Sequence, residues 1–199
     1  EVWEEVNTII VAGHDTIATA LTFLLMVLGS YPDVQEKVLD EIKEVFQDRS
    51  RDVEKTDFSK LVYLEAVIKE TLRMYPLGVG MIRNATEDVK LSKYLPGSNC
   101  ILLVCGLHQH PVWGNDRVKF RPERWFENSP AINNAFAGFG VGKRNCLGKT
   151  YAMMFLKTTV VHVLQRYRIT SDISKLQLKL EVLLKAASGD VIALEERNY

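Results

Sequence analysis

The chain has 199 residues, 47% of them apolar and 25% charged, so it can bury a full core without a disulfide or metal staple and is no disordered, collagenous or low-complexity polypeptide. Its 25 basic and 25 acidic residues cancel, which leaves no overall field to draw it to nucleic acid or an anionic membrane. Three cysteines, an odd number, argue against a secreted disulfide framework.

Residues 2–28 are apolar nearly all round, with Val6, Ile9, Ile10, Val11, Ile17, Leu21, Phe23, Leu24 and Val27, and a helix without a polar face belongs inside a large protein. Its strongest apolar run, residues 17–29, is too short to span a bilayer and reads as a buried helix. No signal peptide opens the chain, which begins at Glu1 already inside this pattern. Pro32 suits the first turn of the next helix, whose stripe is Val34, Val38, Ile42 and Val45. Residues 49–56 read as a charged loop. An amphipathic helix with Leu61, Leu64, Ile68, Leu72 and Tyr75 then runs to a stop at Pro76. Residues 81–91, 100–107 and 191–195 read as short strands, with Gly97 and Ser188-Gly189-Asp190 as turn signals. Residues 107–142 read as long and irregular, and after Lys149 a second all-round apolar helix begins. Two such helices need an outer layer that the remaining elements hardly supply. The pattern therefore predicts the C-terminal piece of something larger, mainly α with a small β component.

The informative stretch is Phe139-Gly140-Val141-Gly142-Lys143-Arg144-Asn145-Cys146-Leu147-Gly148. A lone cysteine stands in a glycine-rich loop just before a helix, where N–H groups, the helix dipole and Arg144 favour a thiolate. Glycines on both sides of the sulfur let a flat, bulky ligand lie against the backbone. A thiolate with an arginine two residues away suits an iron porphyrin and its propionates, and a buried cysteine in a helix-entry loop is the plainer alternative.

Phe139, Gly142, Arg144, Cys146 and Gly148 meet Phe-x-x-Gly-x-Arg-x-Cys-x-Gly, which resembles the haem-binding signature of the cytochromes P-450. Glu70-Thr71-Leu72-Arg73 resembles the Glu-x-x-Arg of that family's K helix. Pro122-Glu123-Arg124-Trp125 resembles its Pro-Glu-Arg-Phe, with Trp for Phe, and Ala12-Gly13-His14-Asp15-Thr16 resembles the oxygen-activating turn of its I helix. The order is the family's, and the match runs over essentially the whole chain. The resemblance implies an incomplete P-450 fold with the I, J, K and L helices, β-sheet segments and the cysteine loop. Residues 1–199 would form the C-terminal part of a single domain whose N-terminal part and membrane anchor are absent. It further implies haem b with Cys146 as axial ligand, and a monooxygenase that takes dioxygen, an apolar small-molecule substrate and electrons from NADPH through a cytochrome reductase. By the microsomal relatives the location would be the cytosolic face of the endoplasmic reticulum membrane, reached only through the missing anchor.

Glu70 and Arg73 stand three apart beside apolar Val67 and Leu72, so a buried pair with further hydrogen bonds is expected. The resemblance adds Arg124, completing a network that braces the cysteine loop. Gly13 in mid-helix is unfavourable by about 1 kcal/mol relative to Ala. Either a neighbouring helix packs tightly there or a ligand approaches. Thr16 lies on much the same face and has a backbone carbonyl within reach. The resemblance makes Thr16 and Asp15 a proton relay, places Ala12 and Gly13 at the haem, and gives Arg83 a propionate. It also lines the pocket with Thr8, Val11, Ala12, Leu77, Met81 and Leu183. Gly-His-Asp-Thr resembles the fatty-acid ω-hydroxylase branch, which often carries at the Ala12 position a Glu that bonds to the haem, and Ala12 cannot form that ester.

Cys100 and Cys105 are an odd number apart in a strand-like run, hence on opposite faces, while His108 and His110 share a face without further ligands at zinc spacing. Both pairs read as structural. Residues 117–149 hold seven basic and two acidic side chains, where the family docks an acidic electron donor. A nucleotide loop at Gly142 to Thr150 fails on spacing, since five residues separate the glycines. The remaining alternative is a partial chain that is inactive, or binds haem only weakly, by itself.

Overall fold

The apolar run at the head of the chain forms α1 (Val2–Ser30), 29 residues long, or about 44 Å at the helical rise. The computed structural model describes residues 1–47, 51–85, 97–127, 129–189 and 191–197. The two halves of α1 meet different surroundings. Phe23, Leu24, Val27 and Leu28 are buried, whereas Val2, Trp3, Ile9, Ile10 and Val11 are 60–81% exposed. Burial along the whole helix, as its pattern predicts, is thus found only where other described elements reach it. By length and composition α1 could also cross a membrane, a test that a core helix passes equally, and its second half packs on α2, α3 and α6.

Pro32 opens α2 (Pro32–Val45), which turns Val34, Val38, Leu39 and Ile42 inward. α3 (Val62–Met74) stops before Pro76 and buries charged Glu70 and Arg73 along with its apolar stripe. Strands β1 (Gly80–Asn84) and β2 (Asn99–Leu103) pair antiparallel, with Arg83 opposite Cys100. The predicted strand over 81–91 is described only through Ala85, and residues 86–91 lie outside the described residues. The predicted strand over 100–107 is corrected: it ends at Leu103 and gives way to α4 (Val104–His108). There the Val104 and Cys105 N–H groups both donate to the Val79 carbonyl, at 2.9 and 3.4 Å, which turns the backbone out of the ladder.

The irregular stretch contains three short helical pieces, each opened by a proline, whose missing N–H is no loss in a first turn. They are a 3-10 turn at Pro111–Trp113, another at Pro122–Phe126, and α5 (Pro130–Ala135). After the cysteine loop comes α6 (Lys149–Arg166). Two more antiparallel pairs finish the fold: β3 (Tyr167–Thr170) with β6 (Ala193–Glu196), and β4 (Leu178–Leu180) with β5 (Leu184–Ala186).

One core joins the second half of α1 to α2, α3 and α6 through Leu24, Leu28, Val38, Ile42, Leu64, Ile68, Val160 and Leu164. Two buried polar side chains weld it. Buried Gln35 donates to the carbonyls of Leu28 and Ile169 at 2.8 and 2.9 Å and accepts from Ile169 N–H at 2.9 Å, joining α1, α2 and β3. Buried Lys157 of α6 reaches the Phe58 carbonyl at 2.7 Å and Glu65 of α3 at 2.9 Å.

Gly29 is where α1 meets β3. A Cβ there would lie 2.7 Å from Ser171 N and 2.9 Å from the Thr170 carbonyl carbon, both backbone atoms that cannot step aside singly. Gly29→Ala is therefore expected to lower stability by about 1–3 kcal/mol, read as a lower denaturant midpoint at unchanged slope.

Candidate functional site: the cysteine loop and its brace

The loop from Ala137 to Gly148 is shaped by its own backbone. Gly140 N–H donates to the Ala137 carbonyl at 2.9 Å, and Cys146 N–H to the Phe139 carbonyl at 2.7 Å, while residues 142–144 form a 3-10 turn. Gly140 and Gly142 hold φ of +71° and +73°, a region that side chains resist. A Cβ on Gly142 would meet no protein atom within 4 Å, so conformation rather than crowding calls for glycine there. Phe139 packs into the core, while Arg144, Cys146 and Gly148 are exposed and Leu147 is 94% exposed. Cys146 precedes Gly148, the N-cap of α6, by two residues.

Behind the loop, Glu70, Arg73 and Arg124 meet with side chains fully buried. Glu70 Oε1 accepts from Arg73 Nη2 (2.9 Å), Arg124 Nε (2.8 Å) and Arg121 N–H (3.0 Å). Its Oε2 accepts from Arg73 Nε (2.9 Å) and the Trp125 indole N–H (3.2 Å). The last bond explains the one departure in the Pro-Glu-Arg-Trp motif, since a phenylalanine could not donate it. The remaining guanidinium donors go to carbonyls: Arg73 to His108, Arg117 and Lys119, and Arg124 to Trp113, Asp116 and Lys119. Asp116 supplies a second anion, 3.4 Å from Arg124. Burial pushes its carboxyl up, but Arg124 and Arg121 outweigh that and hold it below the usual carboxylate range.

His108 connects this network to the cysteine loop. Its ring is fully buried, stacked on Phe136 and edge-on to Trp113. Nδ1 lies 3.1 Å from the Arg73 carbonyl, and Ala137 N–H donates to Nε2 at 3.0 Å. A carbonyl only accepts and an amide N–H only donates, so Nδ1 carries the proton and the ring is neutral. Burial, reinforced by the Arg73 charge, lowers its pKa to about 4, although the hydrogen bond to the Arg73 carbonyl works the other way. His110, grouped with it by spacing, is exposed and its Nδ1 accepts from Val112 N–H.

On α1, Thr8, Val11 and Ala12 are exposed, and a Cβ at Gly13 would meet no described protein atom within 4 Å. Tight packing against a neighbouring helix is thus absent among the described residues. Thr16 Oγ1 donates to the Ala12 carbonyl at 2.6 Å. The Asp15 carboxylate lies 3.2 Å from Lys185 Nζ on β5. Leu77 is half-buried on the core, and Leu184 N–H donates to its carbonyl at 2.9 Å; Leu183, half-buried, precedes Leu184 in the chain. Met81 Sδ would be 3.6 Å from a Cβ on Gly140, so it adjoins the cysteine loop. Arg83 is exposed on β1 and bonds only the Ile82 carbonyl among the described residues.

Of the basic cluster, Arg124 turns inward and Arg121 pairs with Asp116 and Glu127. Lys143, Arg144 and Lys149 remain on the exposed side of the loop. Sequence reasoning missed Asp116, Trp113 and Lys185 and left His108 without a role. Only Trp125 carried a signal, as a departure from its motif.

The sequence profile of the family described as Cytochrome P450 matches residues 1–192. Human Cytochrome P450 4V2 is 37% identical over the whole chain, which spans 39% of that relative's length. Rat Cytochrome P450 4F5 is 34% identical over 96% of the chain and 38% of its own, and Drosophila melanogaster Cytochrome P450 4g15 is 35% identical over 100% and 36%. Among solved structures, a crystal structure of a Cytochrome P450 (CYP102L1) superposes with a TM-score of 0.85 at 27% identity, covering 96% of this chain and 44% of the other.

Proposed function

Since the chain belongs to the cytochrome P450 family, we propose that it is the C-terminal part of a haem–thiolate monooxygenase domain, with Cys146 as the axial ligand of haem b. The observation that carries this reading is the exposed Cys146 thiol on a loop whose backbone is pinned from within and braced from behind. The residues present fit a porphyrin. The thiol is a soft donor, Arg144 and Arg83 offer cations for two propionates, and neither Gly142 nor Gly13 puts a Cβ in the way of a flat ring.

A bound haem supplies the chemistry, insertion of one atom of dioxygen into an apolar small-molecule substrate while the other leaves as water. The chain's part is to hold and to deliver protons. The Phe139–Cys146 backbone bond fixes the sulfur's Cα, and the buried Glu70–Arg73–Arg124 network keeps the loop's far wall rigid. Thr16 spends its hydroxyl proton on the Ala12 carbonyl, which leaves its oxygen lone pairs to accept a hydrogen bond from the pocket side. Asp15 is the acid beside it and moves protons between solvent and that hydroxyl. Thr8, Val11, Ala12, Leu77, Met81 and Leu183 present mostly apolar surface to the substrate, and Ala12 leaves no carboxylate for a covalent link to the haem. With Arg124 turned inward and Arg144 given to a propionate, Lys143 and Lys149 steer a donor with an acidic face toward the cysteine side, a NADPH–cytochrome reductase on this reading. The setting is the cytosolic face of the endoplasmic reticulum membrane.

The exposed apolar start of α1 favours a second reading, in which this stretch by itself is inactive or holds haem only weakly. One spectrum addresses both. Haemin is added to the chain, reduced under carbon monoxide, and the Soret band is compared with that of Cys146→Ser. A strongly red-shifted band lost in the variant is the expected result. An unshifted band in both would overturn thiolate ligation here and leave the second reading.

A further inference from the structure

We propose that Lys185 is a positioning residue for Asp15, tying the relay acid and the substrate-lining hairpin into one unit; this rests on the monooxygenase reading above. The hairpin is β4 and β5, joined through residues 181–183, where Glu181 N–H closes on the Leu183 carbonyl at 3.0 Å. Two fastenings on adjacent residues of β5 hold it. Leu184 N–H donates to the Leu77 carbonyl at 2.9 Å, which fixes the hairpin to the segment after α3. Lys185 Nζ spans both Asp15 oxygens, 3.3 Å from Oδ1 and 3.2 Å from Oδ2, which fixes it to α1. Leu183 closes the turn directly before β5, two residues ahead of Lys185, so the residue that holds the acid and the residue proposed to meet substrate belong to one short hairpin.

No other side chain among the described residues bonds the Asp15 carboxylate. Glu181 stands farther off, 4.0 Å from Lys185, and pairs at 2.7 Å with Lys179, so the nearer partner of Lys185 is Asp15. Both members of the Asp15–Lys185 pair are partly exposed, 46% and 37%, a setting in which ion pairs add little to stability. The pair's consequence is thus geometric. It decides where the carboxylate stands relative to Thr16, one residue on.

The test compares Lys185→Gln and Lys185→Arg with the wild type in the haem-loaded enzyme. The carbon monoxide spectrum is read first, then kcat, KM and product formed per NADPH consumed. Amide exchange at Leu184 is measured in the same proteins. The expected result is a normal spectrum in all three, with kcat and product per NADPH reduced three- to tenfold in Lys185→Gln. KM should stay within twofold, and Lys185→Arg should restore both losses. In Lys185→Gln, Leu184 N–H should exchange several-fold faster. A normal spectrum with unchanged kcat and coupling in Lys185→Gln would overturn the proposal alone, and so would a loss confined to KM, which marks a loosened pocket wall. A wild type without the red-shifted band would overturn the monooxygenase reading, and the proposal with it.

Discussion

Glu70→Ala should lower the stability of the chain by about 3–5 kcal/mol, a large share of the whole. The carboxylate accepts five hydrogen bonds, two from Arg73 and one each from Arg124, Arg121 N–H and the Trp125 indole. Removing it strands two guanidinium groups that are fully buried, with only the part-exposed Asp116 left as counter-charge. Breaking a buried pair from one side is unfavourable by about 3–5 kcal/mol, against a total stability of about 5–15 kcal/mol for a domain. Two cations share this anion, so the upper end is expected. Trp125→Phe removes a single donor and keeps the ring, and should lower stability by about 1 kcal/mol. Near-ultraviolet circular dichroism follows Trp113 and Trp125 directly through a denaturant titration. A Glu70→Ala chain within 1 kcal/mol of wild type would mean that Asp116 and the carbonyls satisfy both arginines unaided.

The network also explains what was legible in the sequence. Glu70 and Arg73 are close in sequence and flanked by apolar residues, so local spacing exposes them. Helix boundaries at Pro32 and Pro76 were equally local, and Trp125 stood out against its motif. What stayed hidden has partners far along the chain. Lys185 and Asp15 are 170 residues apart, and His108 touches Arg73 and Ala137 across 35 and 29. The strand pattern over 100–107 failed because the Val79 carbonyl captures two N–H groups after Leu103, a tertiary contact that overrides β propensity. Strands of three or four residues such as β4, exposed throughout, offer no alternation to read. The exposed half of α1 shows the converse case: its apolar composition is plain in the sequence, but the covering it implies does not come from the described residues.

His108 gives the second large effect, and its direction follows from which state binds the proton. The ring titrates near its ordinary 6.5 when unfolded and at about 4 when folded. Between those values the unfolded chain holds more protons, so stability falls as pH drops from 6.5 toward 4 and this contribution is exhausted below about 4. A displacement of that size corresponds to roughly 3 kcal/mol at 1.36 kcal/mol per pH unit. The structural cause is specific. A proton on Nε2 would face the Ala137 N–H at 3.0 Å, donor against donor, and would add a third buried cation beside Arg73 and Arg124. Acid should therefore loosen the cysteine loop at Ala137 before it dissolves the helical core. Denaturation midpoints from pH 7 to 4 should slope in the wild type and flatten in His108→Gln, whose amide oxygen can still accept from Ala137 N–H but does not titrate. Amide exchange at Ala137 should quicken over the same interval. Equal slopes in the two proteins would assign the acid sensitivity to the other three histidines or the carboxylates, and would leave the His108 bridge a packing contact rather than a titrating one.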